Sequence, residues 1–172
     1  VKPTLHADFS ATIALQLAYI TAGDAAVLRE DREIALSAPD EFGRYTIDWR
    51  STFRAVEKDV ELSCVPIPPA QDGVPWGGYA GLSLRFATEL SEREATVDRG
   101  PVTFSDGVFR GQSIGIDYSG VIAGQAAGIA ILDHPKNPRH PADWYLIKND
   151  MSYANAALLS SRPMWLKAGE EL

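Results

Sequence analysis

From Thr12 to Tyr19 the side chains alternate: Ile13, Leu15, Leu17 and Tyr19 are large and apolar, and the residues between them are small or polar. Successive side chains of an extended backbone point to opposite faces, so this order gives one wet face and one dry face, the pattern of a half-buried β-strand. The two-residue period returns at Tyr45, Ile47 and Trp49, at Phe53 and Ala55, at Val60, Leu62 and Cys64, at Leu82, Leu84 and Phe86, and at Ile114, Ile116 and Tyr118. Val102 to Phe104, then Trp144 and Leu146, then Met164 to Leu166 read as further short strands. Val27 to Leu36, with charges from Arg29 to Glu33, reads as a solvent-facing strand, with a helix as the lesser alternative. Gly128 to Leu132 is a continuous apolar run, as expected of a buried central strand. Only Thr88 to Val97 suggests a short helix.

Turn chemistry separates these segments. Thr21-Ala22-Gly23-Asp24 and Ser105-Asp106-Gly107 each mark a reversal, and Ser119-Gly120 with Ala123-Gly124 marks the next. Pro66, Pro68, Pro69 and Pro75, with Asp72-Gly73 and Gly77-Gly78, mark a long loop, because proline removes a ladder donor and glycine frees the backbone. Many short strands joined by such turns predict an all-β chain, an antiparallel β-sandwich. No internal repeat or linker divides it, so residues 1–172 are read as a single domain.

The charge balance removes several function classes. Sixteen Lys and Arg against 23 Asp and Glu give a net charge of -7, with no basic block, so no nucleic-acid partner is expected. No apolar run approaches the roughly 18 residues of a membrane helix, and no signal peptide is visible. The expectation is a soluble protein of the cytoplasm or periplasm, with no membrane partner. The single cysteine, Cys64, cannot form an internal disulfide and is expected to be a buried small hydrophobe.

The residues richest in chemistry are Asp133-His134-Pro135-Lys136-Asn137-Pro138-Arg139-His140-Pro141, followed by Asp143 and Trp144. Three prolines in seven residues restrict the backbone, so the loop presents its side chains at low entropic cost. It holds two of the three histidines of the chain, together with a carboxylate, an amide and a guanidinium. Such a set suits a polyhydroxylated ligand, with Trp144 as a flat apolar face. The structural alternative stands beside it: Asp133 and Asn137 cap turns, Arg139 pairs with Asp133 or Asp143, and the histidines satisfy backbone carbonyls. His134, His140 and Asp133 or Asp143 are acceptable metal-ligand types, but their spacing matches no zinc signature, so neither metal nor cofactor is assigned.

Two more groups stand out. In Ile116-Asp117-Tyr118-Ser119-Gly120, Asp117 either faces solvent or, lining a cleft, is a second carboxylate to accompany Asp133. In Trp76-Gly77-Gly78-Tyr79-Ala80-Gly81, leading to Arg85, aromatic rings beside glycines pack on an adjacent strand or on a sugar. The glycines lack the Lys-Ser/Thr of a phosphate loop.

Gly78-Tyr79-Ala80-Gly81-Leu82-Ser83-Leu84-Arg85, Asp117-Tyr118-Ser119-Gly120, Gly128 to Pro135, Asn137-Pro138-Arg139-His140-Pro141 with Trp144, Asn155-Ala156-Ala157-Leu158-Leu159 and Leu166-Lys167-Ala168-Gly169-Glu170 occur in one order along the chain. Together they resemble a bacterial domain family of unknown function whose members carry the label methane oxygenase PmoA-like. The resemblance implies a β-sandwich found with sugar-metabolising oxidoreductases and glycoside-processing enzymes. It also implies that this chain is the C-terminal portion of a larger protein, whose upstream part, rich in His and Arg, belongs to the same fold.

These readings converge on a carbohydrate-related protein that binds a sugar or oxidised sugar derivative, with hydrolysis or isomerisation as the attendant chemistry. His134 or His140 would be the acid/base, since imidazole titrates near neutrality, and Asp133 or Asp117 its carboxylate partner. Asn137 and Arg139 would grip the ligand, with Trp144, Arg85 and Tyr118 completing the contact surface. The alternative is a non-catalytic binding, accessory or structural sandwich module.

Overall fold

The computed structural model describes residues 3–23, 25–149 and 151–172. Among them there is no helix, and none therefore is long and apolar enough to cross a membrane. The chain is all-β, and its three four-stranded sheets are antiparallel throughout. Within the span read as one domain, the strands gather into two compact units: Val1–Glu61 with Trp165–Leu172, and Leu62–Met164. Asp24, the end of the first expected turn, lies outside the described residues.

The first unit is a meander of β1 (Thr4–Leu5), β2 (Ala11–Ile20), β3 (Ala26–Leu36) and β4 (Ile47–Ala55). The alternation of β2 does what its spacing predicts, with Ile13, Leu15 and Leu17 half-buried and Thr12, Ala14 and Gln16 exposed. The C-terminal residue extends the sheet, since Phe53 and Leu172 exchange both backbone hydrogen bonds at 2.9 Å.

The charged centre of β3 departs from expectation. Register places Leu17, Glu30 and Phe53 side by side, and Leu15, Arg32 and Ser51 beside them, so Glu30 and Arg32 share the parity of Leu28 and Ile34. Glu30 is only 1% exposed. Its carboxylate accepts from Arg32 Nε at 2.6 Å and Nη2 at 2.8 Å, from Ser51 Oγ at 2.6 Å and from Tyr19 Oη at 2.7 Å. Arg32 in turn lies 4.9 Å over the Trp49 ring. A buried charge is tolerated when its lone pairs are filled in this way. The strand reading of Val27 to Leu36 is therefore right, and its solvent-facing character holds only for Arg29, Asp31 and Glu33.

The chain passes between units through β5 (Val60–Leu62) and returns through β14 (Met164–Leu166). Cys64 follows β5 and is half-buried, donating its thiol to Leu159 O at 3.3 Å rather than sitting as an inert core group.

The second unit contains β6 (Ser83–Arg85), β7 (Ser91–Val97), β8 (Gly100–Pro101), β9 (Val108–Gln112), β10 (Gly115–Ile122), β11 (Gln125–Leu132), β12 (Asp143–Ile147) and β13 (Tyr153–Ala156). They form two sheets, β11-β10-β7-β8 and β6-β13-β12-β9. Leu90, Ala95, Ile116 and Tyr118 on the side of the first sheet meet Trp144, Leu146 and Ala154 of the second in one core. Phe86 stacks on Tyr118 with centroids 4.2 Å apart. This unit is a sandwich.

Four sequence readings are corrected here. Val102 to Phe104 is not a strand but lies between β8 and β9, and Ser119-Gly120 lies within β10 rather than at a reversal. Residues 88–97 are not helical: β7 turns Ala95 inward, with Arg93 and Val97 half-buried on the same parity. Arg93 is held there because its guanidinium donates to Leu90 O, Lys148 O and Asn149 O. The run Gly128 to Leu132 is part of an edge strand, not a central one, and Leu132 is 81% exposed. Its outward positions, Ala126, Gly128 and Ala130, are too small to demand cover. The strands buried on both faces are β12, whose Trp144, Tyr145 and Leu146 are all buried, and its neighbour β13, with Ala154 and Asn155 buried. The β10–β11 hairpin follows its turn signal: Ala123 and Gly124 both have positive φ, the conformation that a two-residue loop of this twist requires.

Candidate functional site

The loop 133–141 leaves the end of β11, where Ile131 packs against the core and Asp133 continues the same inward parity. Asp133 N donates to Ile114 O at 2.9 Å, which fixes the base of the loop. The Asp133 side chain then organises everything beyond it. Oδ1 accepts from Asn137 Nδ2 at 2.7 Å, and Oδ2 accepts from Ala142 N at 2.9 Å and meets His140 Nδ1 at 2.6 Å. Two turn bonds, Asn137 N to His134 O and His140 N to Asn137 O, bring these groups together.

An ionised carboxylate only accepts hydrogen bonds, so His140 carries its proton on Nδ1 and offers the lone pair of Nε2. The Asp133 side chain is 6% exposed and that of His140 24%. The arrangement is thus a nearly buried carboxylate orienting a partly open imidazole, which can accept and return one proton at Nε2. His134 is spent differently: its Nδ1 accepts from Lys136 N at 3.2 Å, and the residue is exposed.

Arg139 turns away from any ligand. Its φ of 63° costs on the order of 1 kcal/mol for a residue with a Cβ. In exchange its guanidinium donates to Leu158 O at 2.8 Å, Arg162 O at 2.5 Å and Pro163 O at 2.8 Å. Burial and then the Arg162 cation push the Arg139 pKa below the ordinary arginine value, with Asp143 opposing the shift. Replacing Arg139 with Ala should therefore destabilise the protein by about 1–3 kcal/mol, read as a lower urea midpoint, because charged hydrogen bonds to partly buried carbonyls are lost. Lys should not rescue it, since a point charge cannot match the fork that spans three acceptors.

The remaining sequence candidates are dispersed. Trp144 lies in the sandwich core, 1% exposed, with Nε1 donating to Ser113 O at 2.9 Å. Tyr118 is fully buried, donates to Ile147 O at 2.9 Å and lies 3.2 Å from Ser152 Oγ; burial raises its pKa against the effect of Ser152. Neither ring offers a face to a ligand. Asp117 pairs with Ala130 on the outer, exposed face of its sheet, whereas Asp133 follows the inner parity, so the two carboxylates do not share a face. Arg85 stands on the edge strand β6, where its Nη2 lies 3.2 Å from Met151 Sδ and it borders an apolar cavity of about 290 Å³ with Phe86, Leu90, Ile122 and Ile129. The structure thus brings together Asp133, Asn137 and His140, and leaves Asp117, Arg85, Tyr118 and Trp144 outside that cluster. Among the described residues, no group of three or more His, Cys, Asp and Glu is placed to hold a metal ion.

One contributor escapes sequence reading altogether: the backbone N–H of Ala142, the third donor to Asp133. Only its place after Pro141, which has no N–H to give, hints at it.

Fold and site together define an all-β protein with a two-sheet sandwich unit that carries a proline-braced carboxylate–imidazole loop. The chain belongs to DUF6807, a family of unknown function whose match covers residues 2–172. That match carries no PmoA-like designation. No curated protein and no solved structure matches the chain.

Proposed function

We propose that this protein binds a sugar or oxidised sugar derivative at the 133–141 loop and that His140 serves there as a single acid/base. The observation that carries this reading is the 2.6 Å contact of His140 Nδ1 with Asp133, whose two other donors hold the carboxylate still. A fixed carboxylate selects the imidazole tautomer and leaves Nε2 as the proton acceptor, a device suited to proton transfer next to a carbonyl or hydroxyl. The substrate class rests on the resemblance of the sequence motifs alone, which the family match does not carry. Asn137 keeps its carbonyl oxygen for a ligand hydroxyl, since only its Nδ2 is committed to Asp133.

A second reading has its own observation. Arg139, Asn137, His134 and His140 all bond within the protein, which is what a loop brace requires. Thermal shift against glucose, glucuronate and 3-keto-glucosides separates the two. Saturation at about 100 times the dissociation constant adds about 2.7 kcal/mol of stability, a readily seen rise in Tm. On the catalytic reading, His140→Ala keeps the ligand-induced shift and loses turnover. If no sugar raises Tm and His140→Ala only destabilises, the brace is the whole role of the loop.

A further inference from the structure

Outside this loop, the second unit holds an open cleft of about 690 Å³ between the segments 66–70 and 159–163, with Cys64 beside them. That volume lies within the roughly 300–1,000 Å³ typical of small-molecule sites. Its walls are stiff. Pro66, Pro68, Pro69 and Pro163 each fix a backbone torsion. The first wall is closed on itself by Gly78 N to Val65 O at 2.7 Å and Val74 N to Pro66 O at 3.0 Å. Arg110 fastens that loop by donating to Gly77 O at 2.7 Å and Pro75 O at 3.3 Å, while its guanidinium lies 3.7 Å over the Tyr145 ring. Gly77 passes so close to the carbonyl oxygen of Pro66 that any Cβ there would collide with it. The second wall hangs from Arg139 through Leu158 O, Arg162 O and Pro163 O, and Cys64 Sγ ties it to the floor through Leu159 O. Two arginines, each bonded to backbone carbonyls, thus hold the cleft open before any ligand arrives, which lowers the cost of binding.

The charge of the lining is unusual for this chain. Acids outnumber bases 23 to 16 overall, yet no Asp or Glu lines the cleft. The one charged lining residue is Arg162, exposed and without a side-chain hydrogen bond or ion pair among the described residues. A second cation, Arg139, sits behind the same wall. Asp143, which is not part of the lining, accepts from Ser160 Oγ at 3.0 Å. Pyrrolidine rings with Ile67, Ala70 and Leu159 make most of the remaining surface apolar, and Ser160 and Ser161 are its neutral polar part.

We propose that this cleft binds a small cyclic carboxylate, its ring against the proline walls and its carboxylate paired with the Arg162 guanidinium. A planar guanidinium matches a carboxylate in two parallel hydrogen bonds, and a flat apolar body suits walls that cannot adjust. The site is separate from the Asp133–His140 pair and does not depend on a role for it.

Benzoate, with the neutral isostere benzamide as control, tests the assignment in an amide chemical-shift titration of the 172-residue chain. Benzoate should give saturable shifts concentrated at Cys64, Ile67, Ala70 and Leu159 to Arg162. Benzamide should bind about tenfold more weakly or worse, the difference a charged hydrogen bond makes. Arg162→Ala, which removes no hydrogen bond or ion pair among the described residues and relieves a like charge near Arg139, should not lower Tm, should weaken benzoate by a similar factor and should leave benzamide alone. Absence of localised shifts with benzoate, equal binding of benzamide, or unchanged benzoate binding in the variant would each overturn the proposal. The thermal shifts with glucose and the 3-keto-glucosides and the His140 variants report on the other site and are unaffected by any of these outcomes, whereas a shift with glucuronate, itself a cyclic carboxylate, is assigned to one site or the other by its response to Arg162→Ala.

Discussion

Replacing Trp144 with Ala should lower the unfolding free energy by about 3–5 kcal/mol, the range for emptying a large aromatic site in a packed core. The indole is 1% exposed on β12, packed among Leu90, Ile116, Tyr118 and Leu146. Two losses add. The ring leaves a cavity that rigid β-strands cannot collapse to fill, and Ser113 O loses the Nε1 donor at 2.9 Å. Ser113 is itself buried and supports the start of β10 through Gly115, so the damage reaches the strand that carries Tyr118. Trp144→Phe should cost less, because it keeps much of the volume and loses mainly the hydrogen bond. Urea unfolding followed by far-UV circular dichroism gives both values. A loss below about 1 kcal/mol for the Ala variant, the level of a surface substitution, would contradict this placement of the ring.

Glu30→Ala should cost about 3–5 kcal/mol, the cost of removing one partner from a buried ion pair. The Glu30 side chain is fully buried and that of Arg32 is 25% exposed, so the variant strands a guanidinium next to Leu15, Leu17 and Ile34 without its two acceptor oxygens. Ser51 and Tyr19 lose their acceptor as well. Exchanging both charges, as in Glu30→Leu with Arg32→Leu, should recover most of the loss, because two apolar groups ask for no partner. The pH dependence has a definite sign. Burial pushes the Glu30 carboxyl up, but hydrogen bonds from Arg32, Ser51 and Tyr19 outweigh it and hold the group below its ordinary value of 4.5. A depressed folded-state value means that the unfolded chain binds the proton first on acidification. The contribution of Glu30 is therefore complete above the ordinary glutamate value and disappears as pH falls through the folded-state value. Wild type and Glu30→Gln, compared by urea unfolding at neutral pH and in acid, should differ most at neutral pH and converge in acid. A gap that grows in acid would show the carboxyl to be raised instead.

Most strands were legible because a sheet with one covered face demands alternation, and Ile13, Leu15 and Leu17 or Ile116 and Tyr118 supply it. The Ala123-Gly124 hairpin was legible through Gly124, which takes positive φ without a Cβ clash; Ala123 adopts it too, at a steric cost. Two of the misread segments share one cause. In β3 and β7 the inward positions hold Glu30 and Arg93, residues that polarity assigns to water and that only their partners, distant in sequence, make tolerable inside. The apolar run of β11 failed in the opposite sense: a stretch of small and aliphatic residues reads the same at an edge as at a centre, since neighbouring strands decide which it is.

In the 133–141 loop, composition identified a stiff segment with two imidazoles, and its prolines and its short-range partners, Asp133, Asn137 and His140, lie within eight residues of one another. What composition does not contain is direction. Arg139 reaches carbonyls 19 to 24 residues further on, Trp144 and Tyr118 meet in a core built from two sheets, and Asp117 falls on the far face of its strand. The amino-acid order alone therefore determined most of the strand content, most of the turns and the chemistry available in the loop, because these depend on near neighbours and backbone torsions. Which side chains converge, which are consumed by the backbone and which face a cleft was decided only by the tertiary structure, because those outcomes depend on strand order and register between segments that the chain separates by tens of residues.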